Sequence, residues 1–165
     1  MAKVIKLKNV RLSFPSLFSK AVFNGVEGKY EATLLLPKTE VAVYDEIMAE
    51  IEAVKKEGKI KTDKLCISDG DNSEYDGYAG HWAIKASNNK RPPVFNKDKS
   101  IIMENDEIVY AGCYVNANID FWAQNNSFGK RVNGNLLGLQ FKADGEPFEG
   151  SFVSTDADFD EEDDF

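Results

Sequence analysis

Apolar residues recur at every second position near the start of the chain, where Ile5 and Leu7 are followed by Val10, Leu12 and Phe14. The two runs change phase at Lys8-Asn9, so a β-bulge there would return both to one buried face. Tyr30, Ala32, Leu34 and Leu36 form a second alternating run, which ends at Pro37 because proline has no N–H for a central ladder. The period then lengthens: Val41, Tyr44, Ile47, Met48, Ile51 and Val54 are spaced by three and four, between Thr39 as N-cap and Gly58. This predicts one amphipathic helix of about five turns. Residues 58–80 lack sustained periodicity and predict a long loop with little regular structure. Strand character returns over residues 81–87, 108–123 and 136–142. Strands, one helix and more strands predict a mainly β (α+β) fold dominated by a small barrel, since closure hides sheet edges, with the helix plugging or flanking it.

A chain of 165 residues with 42% hydrophobic side chains can bury one core. That core is assigned to a domain spanning residues 1–150. From about residue 151 the sequence is too poor in apolar surface to offset ordering entropy, which predicts a disordered tail over 151–165. The tail changes the meaning of the net charge of -8. Asp156, Asp158, Asp160, Glu161, Glu162, Asp163 and Asp164 supply seven of the 28 acidic side chains, leaving 21 against 20 lysines and arginines. The body is therefore near neutral, and its acidity does not exclude nucleic acid.

The two faces of residues 108–123 differ in kind. Val109, Ala111, Cys113, Val115, Ala117, Ile119 and Phe121 suit a core, whereas Tyr110, Gly112, Tyr114, Asn116, Asn118, Asp120 and Trp122 lie opposite. Aromatic rings can stack on bases, and amides can bond base edges or backbone. Tyr110 and Trp122 equally suit packing under a loop or the helix, so Tyr114 is the better exposed candidate. Lys85 projects opposite Trp82, Ile84 and Ala86, which places Trp82 in the core. Asn88, Lys90 and Arg91 follow at a loop tip, and Phe128, Lys130 and Arg131 mark a Gly- and Asn-rich segment over 128–135 able to close over a bound strand.

Val10-Arg11-Leu12-Ser13-Phe14-Pro15, His81-Trp82-Ala83-Ile84-Lys85-Ala86, Ala111-Gly112-Cys113-Tyr114-Val115-Asn116-Ala117 and Phe128-Gly129-Lys130-Arg131-Val132-Asn133 together resemble the OB-fold single-stranded-DNA-binding proteins of tailed phages and prophages. The resemblance implies an OB-type barrel that coats single-stranded DNA during replication, recombination or repair, in the cytoplasm of a bacterial host. The ending Asp160-Glu161-Glu162-Asp163-Asp164-Phe165 is similar to the acidic tails of such proteins, which recruit partners and compete with DNA. A Phe beside a free carboxylate suits a small basic pocket. Homo-oligomerisation is left open.

Other classes find less support. Cys66 and Cys113 have no CxxC partner and the single histidine is His81, so no metal or cofactor is expected, and reduced thiols fit a cytoplasm. No apolar stretch reaches membrane-spanning length, and the N-terminal one is too short for a signal peptide. A metal-dependent nuclease would rest on Asp69, Asp71, Glu74, Asp76 and His81, a local cluster with no shown convergence. A phage structural or adaptor protein using the barrel for protein contacts is the remaining competitor. Non-enzymatic DNA binding is the preferred expectation.

Overall fold

The computed structural model describes residues 3–75 and 77–148. Strand β1 (Ile5–Ser16) leads through a small hairpin, β2 (Val22–Phe23) and β3 (Val26–Glu27), into β4 (Tyr30–Pro37). Helix α1 (Val41–Glu57) and the short β5 (Ile67–Asp69) precede β6 (His81–Asn88), β7 (Val94–Phe95), β8 (Tyr114–Asn126) and β9 (Gly129–Ala143). Antiparallel pairings join β1 to β4, β4 to β6, β1 to β8 and β8 to β9, and a parallel pairing of β6 with β9 closes the ring. Ile5, Leu7, Leu12, Leu34, Ile84, Ile119, Phe121 and Leu136 fill the interior. No helix among the described residues is long and apolar enough to cross a membrane.

The bulge expected at Lys8-Asn9 is present. Leu7 faces Ala117 and Val10 faces Val115, so two residues of β1 oppose one of β8. Asn9 takes a left-handed φ of 55°, which asparagine tolerates, and its N–H donates to Asn116 Oδ1 at 2.9 Å.

A second irregularity was not legible. Ser13 faces Thr33 and Ser16 faces Glu31, so the pleat breaks across Phe14-Pro15. Phe14 therefore does not join the core as its alternation predicted: it lies 46% exposed at φ 46°, while Ser13 is buried. The Ser13 hydroxyl is satisfied by Tyr78 Oη at 2.8 Å. Tyr78, Leu35, Ala83, Ala111 and Phe148 form a small apolar cluster separate from the main core. Tyr78→Phe should cost about 1–3 kcal/mol in urea unfolding, because it leaves the buried Ser13 hydroxyl without that partner; an unchanged midpoint would show that Ser13 finds another.

The helix buries Ile47, Ile51 and Val54 and stacks Tyr44 on Trp82 at 4.5 Å between centroids, so Trp82 packs against the core as expected. Thr39 is not its N-cap. Glu40 N–H donates to the Pro37 carbonyl, which places Thr39 inside a tight turn and makes Glu40 the cap, without a side-chain bond. At the other end Gly58 abuts β8, where a Cβ would sit 2.7 Å from that of Ala123.

The long loop expected over residues 58–80 holds only β5 and a 3₁₀ turn at Gly70–Asn72 as regular structure among the described residues, both too short to give a periodic signal. Two further expectations change. Residues 108–113 are not strand, because a turn closed by Cys113 N–H to the Tyr110 carbonyl, with Gly112 at φ 108°, delays β8 until Tyr114. The segment 128–135 is no loop: Asn126 faces Gly129 across a tight hairpin, and Lys130 and Arg131 already belong to β9. The predicted acidic tail lies outside the described residues.

Candidate nucleic-acid interface

Alternation on β4 and β6 sends Ala32, Leu34, Ile84 and Ala86 inward, leaving Glu31, Thr33, Lys85 and Ser87 outside. Thr33 faces Lys85 and Glu31 faces Ser87 in register. Glu31, Lys85 and Ser87 begin the floor of a groove of about 490 Å³. Trp122 and Gln124 from β8 and Arg131 and Asn133 from β9 form one wall, and Leu65, Cys66 and Ser68 line the seam.

That seam exists because β9 comes close to β6 where Ala86 faces Gly134. A Cβ on Gly134 would lie 3.0 Å from the Lys85 carbonyl oxygen and 3.5 Å from Cys66 Sγ, so any larger residue would push the strands apart. The segment before β5 fills the remaining gap: Val132 N–H donates to the Lys64 carbonyl and Lys85 N–H to the Cys66 carbonyl. Burial pushes the Cys66 thiol up to about 12, against the opposing influence of the Arg131 charge, so this cysteine sits protonated in the groove.

Lys29, Lys85 and Arg131 line the groove together with Glu31, whose carboxylate lies 3.4 Å from Lys85 Nζ. Lys29 Nζ sits 5.7 Å from the centroid of the Trp122 ring, and Trp122 is 36% exposed. Asn133 Nδ2 donates to Gln124 Oε1 at 2.8 Å, fixing two amides beside the ring. The groove thus offers cations for phosphates, a ring for a base and oriented amides for hydrogen bonds.

The predicted residues divide among several places. Lys85, Trp122 and Arg131 meet in the groove, with Lys130 and the 89% exposed Phe128 at the hairpin above it. Asn88, next to Ser87, donates to the Leu136 carbonyl and accepts from Lys90 N–H, which shapes a basic turn where Arg91 lies 5.3 Å from the Phe18 ring. Asn116 and Asn118 line a different cleft with Phe95, Leu137 and Leu139, and Asn116 also bonds Gln140. Tyr110 Oη lies 2.9 Å from Asp144 Oδ1 and accepts from Gly145 N–H, holding the chain after β9. Tyr114 is half-buried, its ring 5.7 Å from the Arg11 guanidinium. Lys29 and Gln124 escaped the sequence reading, while Asn133 was held only within the segment 128–135 and not as a contact. Extending the outward alternation from Trp122 to Gln124, and from Glu31 back to Lys29, is the signal that could have found the first two.

Asp69 and Asp71 each reach Lys38 Nζ at 2.6 Å. This hydrogen-bonded ammonium holds both carboxyls below their usual range and raises the lysine. Asp71 also accepts from Gly80 N–H, and His81 Nδ1 lies 2.9 Å from the Ala79 carbonyl oxygen. These groups brace the crossing from β5 to β6.

A barrel closed in this strand order, with a polar groove beside the hairpin joining its last two strands, defines an OB-type protein, a fold whose members include oligonucleotide binders. The comparisons give the family. The profile described as "Enterobacter phage Enc34, ssDNA-binding protein" matches residues 2–165, and the chain belongs to that family. It is 40% identical over 171 residues to putative protein p50 of Acyrthosiphon pisum secondary endosymbiont phage 1, covering 95% of this chain and 92% of that one. The Enc34 single-stranded DNA-binding protein solved in complex with ssDNA shares 37% identity at a TM-score of 0.80, over 87% of this chain and 88% of that one. The fold is also that of gp2.5, a single-stranded DNA-binding protein of bacteriophage T7, at 14% identity and a TM-score of 0.60, over 100% of this chain and 98% of that one.

Proposed function

We propose that this chain binds single-stranded DNA without sequence preference and coats it during phage replication, recombination or repair, without cutting it. The observation that carries this is the meeting of Lys29, Lys85 and Arg131 with an exposed Trp122 in one groove, on the OB face, in a chain of this family. The phosphodiester chain runs past the three cations while a base stacks on Trp122. Gln124 and Asn133 can bond whichever base edge arrives, which suits coating better than reading. Phe128 closes over the strand from the hairpin tip. Asp160, Glu161, Glu162, Asp163, Asp164 and Phe165 act as a second module, competing electrostatically for the basic groove and presenting the terminal ring to replication or recombination proteins.

Titration with oligo-dT should quench Trp122 emission in the wild type and leave no ligand-dependent change in Trp122→Phe, since Trp82 is shielded by Tyr44. Absence of both quenching and a mobility shift at low salt would overturn the assignment. A matched RNA oligonucleotide in the same titration measures the preference for DNA.

A further inference from the structure

We infer that Phe14 and Tyr75 form a second base-stacking platform, on the β1 side of the same groove. This rests on the function proposed above and extends its site across β4. The residues that line the groove stop at β4, yet the sheet register carries its outer face further. Ser13, Thr33 and Lys85 occupy one row across β1, β4 and β6, and Ser16, Glu31 and Ser87 the next. Phe14 lies on β1 between those two rows, which continue through Lys85 and Ser87 of the floor.

The ring is held there at a cost. Phe14 adopts φ 46°, a left-handed conformation that is a true outlier for a bulky residue, and Pro15 follows it. Burial does not explain this, because the strained conformation places the aromatic ring at the surface. Its neighbour is Tyr75, 61% exposed, with ring centroids 4.8 Å apart and planes at 72°. Tyr75 is in turn 5.3 Å from Tyr78, whose hydroxyl bonds the buried Ser13 beside Phe14. A short closed circuit, Ser13 to Tyr78 to Tyr75 to Phe14, therefore fixes two exposed rings in one orientation. Such preorganised rings can receive a planar base with little further loss of side-chain freedom.

From Phe14 on β1 to Trp122 on β8 the barrel surface crosses β4, β6 and β9, roughly 19 Å at about 4.8 Å per strand interval. Lys85 and Ser87 lie between the two platforms. The bound strand would thus run across the β-strands with a stacked base at each end and its phosphates over the lysines. Glu74, next to Tyr75, is exposed, so the contact at this end is ring on base and not cation on phosphate.

The test is fluorescence anisotropy with a labelled long oligo-dT on the full chain, across a salt series. Phe14→Ala and Tyr75→Ala should each weaken binding by roughly 5- to 150-fold, with the slope of log affinity against log salt unchanged, and Phe14→Tyr should retain affinity. Phe14→Gly removes the ring while relieving the backbone strain, so it should lose affinity with no loss of thermal stability. If the wild type binds and Trp122→Ala weakens it, but Phe14→Gly and Tyr75→Ala bind like wild type, this platform is overturned while the groove stands. If the wild type does not bind at all, both fail.

Discussion

With Lys85 and Arg131 both replaced by alanine, affinity for oligo-dT at low salt should fall by about a hundredfold. Both side chains line the groove from different strands, and neither is needed for the core. Each cation on a phosphate releases counterions, contributing about 0.7 to the salt slope on a single strand, so the pair should flatten that slope by roughly 1.4. Removing Lys85 also uncovers Glu31, which adds repulsion where attraction was lost. Anisotropy titrations at several salt concentrations read both quantities. A weakened affinity with an unchanged slope would mean that these residues touch bases or shape the groove, and that the phosphates run elsewhere.

Phe121→Ala should lower the unfolding free energy by about 3–5 kcal/mol, a large part of the roughly 5–15 kcal/mol that holds a typical domain together. Phe121 is 1% exposed and faces Gly134 across the ladder, a partner with no side chain to fill the cavity. The end of α1, with Val54 and Gly58, borders the same part of β8. Urea titration followed by far-ultraviolet circular dichroism should show a lower midpoint with an unchanged m-value. A loss below about 1 kcal/mol would show that the helix end collapses onto the vacated space. Trp122 is the adjacent residue on the opposite face, so DNA binding by the surviving folded fraction should also loosen.

The sequence carried much of this because period-two and period-three-to-four patterns are local. The bulge at Lys8-Asn9, the inward set from Val115 to Phe121 and the helix from Val41 all follow from spacing alone. Phe14 failed because its alternation depends on an unbroken pleat, and a bulge at Pro15 is decided by pairing with β4. The hairpin at Phe128 failed for a related reason: Gly and Asn counts cannot separate a flexible loop from a tight turn between long strands. The site was half legible. Lys85 and Trp122 were found on their own strands and Arg131 on what was expected to be a loop, but that the three converge, while Asn116 and Asn118 face another cleft, is a property of closure and not of any one strand. The family resemblance added the OB type to a barrel that the pattern had already predicted, but assigned no residue to the groove.

The parallel seam between β6 and β9 has a consequence for how the protein matures. Every other pairing in the ring is antiparallel, while this one joins Ala86 to Gly134 and must wait for the final strand. Non-local pairings of this kind form late because the chain entropy is lost before the contact compensates it. Lys29, Lys85 and Trp122 are all synthesised before β9, yet they share no cleft until Arg131, Asn133 and Gly134 dock. If the proposed groove is the binding site, nucleic-acid affinity is the last property the folding chain should acquire, and a product lacking β9 should carry Lys29 and Lys85 without a cleft to hold a strand.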